Sequence, residues 1–177
     1  MTRFFLFLLS VFMFVECKKQ PTSEEKIKEP IYSLQEAFNF QYEAMEYFNK
    51  DARRSATMFL KAAEAYKQNG MKKDVGICLS NAAHLYEEQF ANIDSALLLA
   101  QQGLEYSIAA NDTLNKGHGY RYTGFLIGIS SNNIDEAISR IEKSKEFYSL
   151  RSFDDAIAVS DYDLARVYYK QKQYDLS

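Results

Sequence analysis

From Ser33 onward, apolar residues return every third or fourth position with polar side chains between them, the spacing of one buried helix face. Ala56, Leu60, Ala63 and Tyr66 trace one such stripe, and Ile77, Cys78, Leu79 and Ala82 begin the next. The spacing predicts seven helices, over about 33–49, 53–69, 73–89, 94–110, 113–130, 135–150 and 154–170. Start and stop signals sit at their ends. Ser33-Leu34-Gln35-Glu36 has the form of a capping box, in which the Ser oxygen takes a free amide of the first turn and the Glu reaches back. Gly70 offers a left-handed stop, Asn92 or Asp94 caps the fourth helix, Asn111-Asp112 marks a turn and Ser131-Asn132-Asn133 a loop. The connections are short, so consecutive helices are expected to pack antiparallel.

The pattern also repeats. Asn92-Ile93-Asp94-Ser95-Ala96 returns 41 residues later as Asn133-Ile134-Asp135-Glu136-Ala137. Ala82, Ala83 and Tyr86 return as Thr123, Gly124 and Ile127, and again as Leu164, Ala165 and Tyr168. A fixed period of this size means stacked units, none of which buries its apolar face alone. Small residues set how closely the helices approach. Ala82 and Ala83 are expected against the stripe Ala96, Ala100 and Gly103, and Thr123 and Gly124 against Ala137, Ile141 and Ser144. The aromatics Tyr86, Tyr106, Phe147 and Tyr168 are expected to fill the space one turn on.

Composition narrows the class. Seven Gly and two Pro in 177 residues leave little material for tight β-turns, which favours an all-α chain, and 47% apolar residues support a core. Lys and Arg number 21 against 24 Asp and Glu, a net charge of −3 with no basic stripe, so nucleic acid is not an expected partner. The chain has no Gly-rich phosphate loop, no G-x-S-x-G and no paired metal motif. Glu87-Glu88 and Asp154-Asp155 read as a solvated face and as helix-start charge. No catalytic residue, cofactor or metal is assigned.

Residues 1–16 read as a signal segment outside the fold. Arg3 precedes an apolar run from Phe4 to Val15, broken only by Ser10 and too short to span a hydrocarbon core of ~30 Å. Cys17 follows, then Lys18-Lys19-Gln20, and residues 17–32 are polar enough to serve as a flexible tether. An apolar stretch ending at a Cys resembles a bacterial lipoprotein signal. That resemblance implies lipid attachment at Cys17 and export to the periplasm or cell surface, although Glu16 stands where that family has a small residue. The alternative is an ordinary exported protein or an uncleaved anchor, with Cys17 incidental. Cys78 lies in a helical apolar pattern and reads as a small buried hydrophobe.

Leu164-Ala165 with Tyr168, and Ala82-Ala83 with Tyr86 followed by Ala96, Ala100 and Gly103, resemble the helix pair of a tetratricopeptide repeat. The resemblance covers about residues 35–177, with a period of 41 in place of 34, as in longer-helix variants. It implies an antiparallel helix-hairpin solenoid over 33–177. It also implies a groove on the wall of the first helices, where Ile77, Ser80, His84 and Glu87, then His118, Arg121, Phe125 and Gly128, then Val159, Tyr162, Arg166 and Tyr169 fall. His84, Glu87, His118, Arg121, Phe125, Tyr162, Arg166 and Tyr169 are the candidate partner-binding residues, and the two His are placed too far apart to share one ion. Arg forks and flat aromatic faces fit a peptide or protein segment with acidic character. In this alignment Ser177 falls where the second helix of a fourth unit would begin, so a longer chain or a partner is expected to cover the seventh helix. The expected function is a non-enzymatic, lipid-anchored interaction scaffold. The alternative is the sensory amino-terminal region of a longer signalling protein, a histidine kinase or transcription regulator.

Overall fold

The computed structural model describes residues 31–131 and 133–175, without the side chains of 173–175. Those residues form seven α-helices and no strand: α1 (Leu34–Tyr47), α2 (Ala52–Gln68), α3 (Lys72–Glu88), α4 (Ile93–Ala109), α5 (Thr113–Ser130), α6 (Ile134–Ser149) and α7 (Asp154–Asp175). The chain is all-α, as its hydrophobic spacing requires.

The 41-residue period is written into the helix ends. α2, α4 and α6 begin at Ala52, Ile93 and Ile134, and α3, α5 and α7 at Lys72, Thr113 and Asp154. Asp51, Asn92 and Asn133, at the same spacing, cap the even helices. Each side-chain oxygen accepts the amide three residues on, at 3.0, 3.1 and 3.4 Å. The opposite bends share one geometry. Gly70, Asn111 and Ser152 take positive φ (74°, 53° and 54°). The amides of Met71, Asp112 and Phe153 then close back on the carbonyls of Tyr66, Ser107 and Tyr148 at 3.0–3.1 Å. This six-to-one closure around a left-handed residue ends each even helix and starts the next odd one.

Each helix packs on its neighbours in sequence, and α5 also touches α3 and α7. α3, α5 and α7 therefore stand side by side as one wall, with α4 and α6 behind. Apolar clusters run through the stack without a break: one joins α1, α2 and α3, a second α3, α4 and α5, a third α5, α6 and α7. The arrangement is solenoid-like, each unit covering the apolar face of the next.

Close approach depends on small residues, partly not the expected ones. Gly124 packs on α6 as its spacing predicts: a Cβ there would stand 2.8 Å from the Ala137 carbonyl oxygen and from Ile141. Ala83 likewise clusters with Ala96 and Ala100. Ala82 is buried in the cluster that joins α1, α2 and α3, against which Leu99 and Tyr106 of α4 also pack. Adjacent residues on a helix point about 100° apart, so Ala82 and Ala83 serve different clusters. Gly103 instead meets Gly76 and Ser80, whose carbonyl and Oγ would lie 3.1 and 2.9 Å from an added Cβ. Tyr86, Tyr106 and Phe147 are half-buried, whereas Tyr168 is 50% exposed.

Two boundaries also differ. Tyr32, placed in the tether by composition, belongs to the fold: its amide donates to Gln68 Oε1 at 2.8 Å and its ring meets Phe40 edge-on. α7 runs past Lys170 to Asp175. In the earlier units an Asn occupies the capping position (Asn92, Asn133), and its counterpart 41 residues later is Tyr174, which cannot cap. Cys78 is fully buried and free, its thiol pushed up to about 12 by burial.

Candidate functional site

The wall of α3, α5 and α7 carries the polar residues that sequence spacing assigns to the groove. α5 lies between the other two and touches an odd helix on both sides. Between α3 and α5, with Ala100 of α4 behind, lies a cavity of about 270 Å³. Ser80, Asn81 and His84 line it from α3, and Asn115, His118 and Arg121 from α5.

His84 stacks on Tyr122, with ring centroids 4.0 Å apart. Burial, then the neighbouring positive charge of Arg121, holds the His84 imidazole down to about 4, so it is neutral at physiological pH. His118 is shifted in the same direction, again by burial first and Arg121 second. Its Nδ1 lies 3.0 Å from the Tyr148 hydroxyl, which α6 delivers from behind. Among the described residues no group of His, Cys, Asp and Glu is arranged to hold a metal ion.

Arg121 does not face an open groove. Its guanidinium donates to the Asp163 carboxylate of α7 in an ion pair whose side chains are 14% and 5% exposed. Burial raises the Asp163 carboxyl above its ordinary value, and Arg121 and Arg166 pull it back. The pair joins α5 to α7 and leaves little net charge at the cavity mouth. Asp163 escaped sequence reasoning. Its one signal is an acid on the core-facing stripe of α7, beside the buried Ser160, Leu164 and Val167, where a charge needs a partner.

Phe125 is also unavailable as a flat binding face. It is buried, and the Arg166 guanidinium sits over its ring, 4.2 Å from the centroid. Arg166 also lies 5.8 Å from the Tyr162 ring. Tyr162 and Tyr169 are 64% and 67% exposed and form the open part of the wall. Glu87 is half-buried, its carboxyl raised by burial and by Glu88 and lowered by Arg166. The structure thus joins His84, His118 and Arg121 at one cavity and groups Phe125, Tyr162 and Arg166 beside it. Gly128 is buried against Val167. Cys17 lies outside the described residues.

The outer face of α7 contrasts with this wall. Ala165 and Tyr168, counterparts of the buried Gly124 and Ile127, are exposed. Among the described residues no helix is long and apolar enough to cross a membrane. The chain matches no protein-family model, no curated protein and no solved structure, so its functional reading rests on the geometry of this wall.

Proposed function

We propose that this chain is a non-enzymatic binding scaffold of the tetratricopeptide-repeat kind, which holds an extended peptide or protein segment along the wall of α3, α5 and α7. One observation carries the reading: three odd helices adjoin, and their shared face combines a cavity with the exposed rings of Tyr162 and Tyr169 and the Arg166 guanidinium. Aromatic and Arg side chains on such a wall supply contact area and directed hydrogen bonds for a segment that brings its own side chains. With Arg121 committed to Asp163, Arg166 alone of the two carries an attraction for acidic residues, so acidity is a minor part of recognition.

The leader 1–16 and Cys17 support an exported protein tethered by lipid to a membrane, with the wall facing the periplasm or cell surface. Site-specific photo-crosslinking tests the groove. A photoreactive residue at Tyr162 should form one defined adduct in the native host, lost on Arg166→Ala, while the same residue at Tyr42 on α1 should form none. Equal labelling from both positions would count against the wall as the binding surface. Mass spectrometry of membrane-extracted protein tests the anchor: an acylated Cys17 at the amino terminus is expected, and an unmodified Cys17 would remove it.

A further inference from the structure

The geometry points to a side-chain preference inside the proposed groove: the cavity between α3 and α5 takes the uncharged carboxamide of an Asn or Gln residue of the bound segment and discriminates against a carboxylate there. This rests on the reading of the wall as a peptide groove.

The cavity sets uncharged polar groups among apolar walls, and its one cation is paired. The Asn81 side-chain amide has no hydrogen-bond partner among the described residues, and neither ring nitrogen of His84 has one. His118 spends Nδ1 on the Tyr148 hydroxyl and keeps Nε2. Two neutral imidazoles and an amide offer donors and acceptors together. A carboxamide has the matching set, two donors and an acceptor. A carboxylate only accepts, so it would satisfy the donors and leave the acceptors facing it.

Charge argues the same way. The one cation lining the cavity, Arg121, is already matched by Asp163, and Glu87 lies one turn along α3 from His84. An incoming carboxylate would lose its hydration without meeting an unpaired positive charge. An aliphatic side chain would displace water from Asn81 and both imidazoles without replacing its hydrogen bonds. The volume fits one side chain. At ~30 Å³ per water, about 270 Å³ holds roughly nine waters, which suits one side chain with a few waters and falls below the usual range of small-molecule sites.

The chain has two His, and both line this cavity, so imidazole NMR of the full chain labelled at histidine reads the site alone. The probes are N-acetyl-glutamine methylamide and N-acetyl-glutamate methylamide, nearly isosteric, titrated at pH 7.5. The glutamine probe should shift both His84 and His118 signals saturably, and the glutamate probe about tenfold more weakly or not at all. Asn81→Leu should remove the glutamine response while leaving the helical circular dichroism unchanged. Glutamate binding as tightly as glutamine, silence toward both probes, or a full response in Asn81→Leu would each overturn the inference. Crosslinking from Tyr162 that persists beside such a result would show that the groove reading survives and only the amide preference fails.

Discussion

The second and third hairpins, α3–α4 and α5–α6, share one 41-residue frame and close in different ways. In α3–α4, small residues face each other from both sides. An added Cβ on Gly76 would lie 2.9 Å from Ser107 Oγ and 3.0 Å from the Gly103 carbonyl, so backbone meets backbone. In α5–α6 the counterparts are Gly117 and Tyr148. The Tyr148 ring lies across Gly117, 2.5 Å from where a Cβ would stand, and its hydroxyl reaches His118. The same glycine position thus permits close contact in one unit and makes room for a ring in the other. Only the second solution carries a polar group through the hairpin to the wall of α3, α5 and α7. A repeat can therefore keep its frame constant while the chemistry of its wall changes at the few positions where side-chain size departs from the pattern.

The largest expected effect comes from the contact that only the third hairpin makes with α7. Asp163→Ala leaves the Arg121 guanidinium buried and unpaired, and should cost about 3–5 kcal/mol in denaturant unfolding. Hydrogen exchange should locate the loss in α5 and α7, with α3–α4 less affected; a stability change under 1 kcal/mol would mean the pair is solvent-exposed in solution.

Next comes Gly124→Leu, which forces a side chain against the Ala137 carbonyl and Ile141 and should cost roughly 1–3 kcal/mol by overpacking. An unchanged melting curve would refute the α5–α6 contact.

The paired substitutions Gly76→Ala and Gly117→Ala sharpen the comparison, each expected to cost roughly 1–2 kcal/mol. They differ in consequence. Gly117→Ala must move the Tyr148 ring and so should shift the His118 signal, whereas Gly76→Ala should leave it in place.

The smallest effect is the pH dependence of stability. His84 titrates near 4 when folded against an ordinary 6.5, so the unfolded chain takes up the proton first. Stability from this group is full above about pH 6.5 and falls as pH drops toward 4, by roughly 1 kcal/mol at pH 5.5. The raised Asp163 and Glu87 carboxyls act in the opposite sense, favouring the folded chain as pH falls. His84→Phe isolates the histidine contribution by keeping a ring on Tyr122; an equally steep loss between pH 7.5 and 5.5 in that variant would assign the slope elsewhere.

Much of the fold is legible in the sequence because its signals are local. The caps Ser33 and Asn92, the left-handed Gly70 and the turn at Asn111 act within one turn of themselves, and the spacing of Ala, Leu and Tyr follows from the helix alone. Helix class, number and period follow from these. The site is less legible because it depends on pairs distant in sequence. Arg121 reads as a groove residue by position, but its role is decided by Asp163, 42 residues on, which is visible only as an acid in an apolar stripe. Phe125 has a groove position and a buried ring, since Arg166 lies over it. Asn81 carried no signal of its own, and its place at the cavity emerges only when α3 and α5 are side by side.

α3 and α5 adjoin in one wall and bring both imidazoles to a shared cavity whose one cation, Arg121, is paired with Asp163. A histidine NMR titration from pH 8 to pH 4 measures it directly. His84 should remain neutral until close to 4 and His118 should titrate below the ordinary 6.5. Two imidazoles titrating together at their ordinary value would place them in open water and contradict the wall.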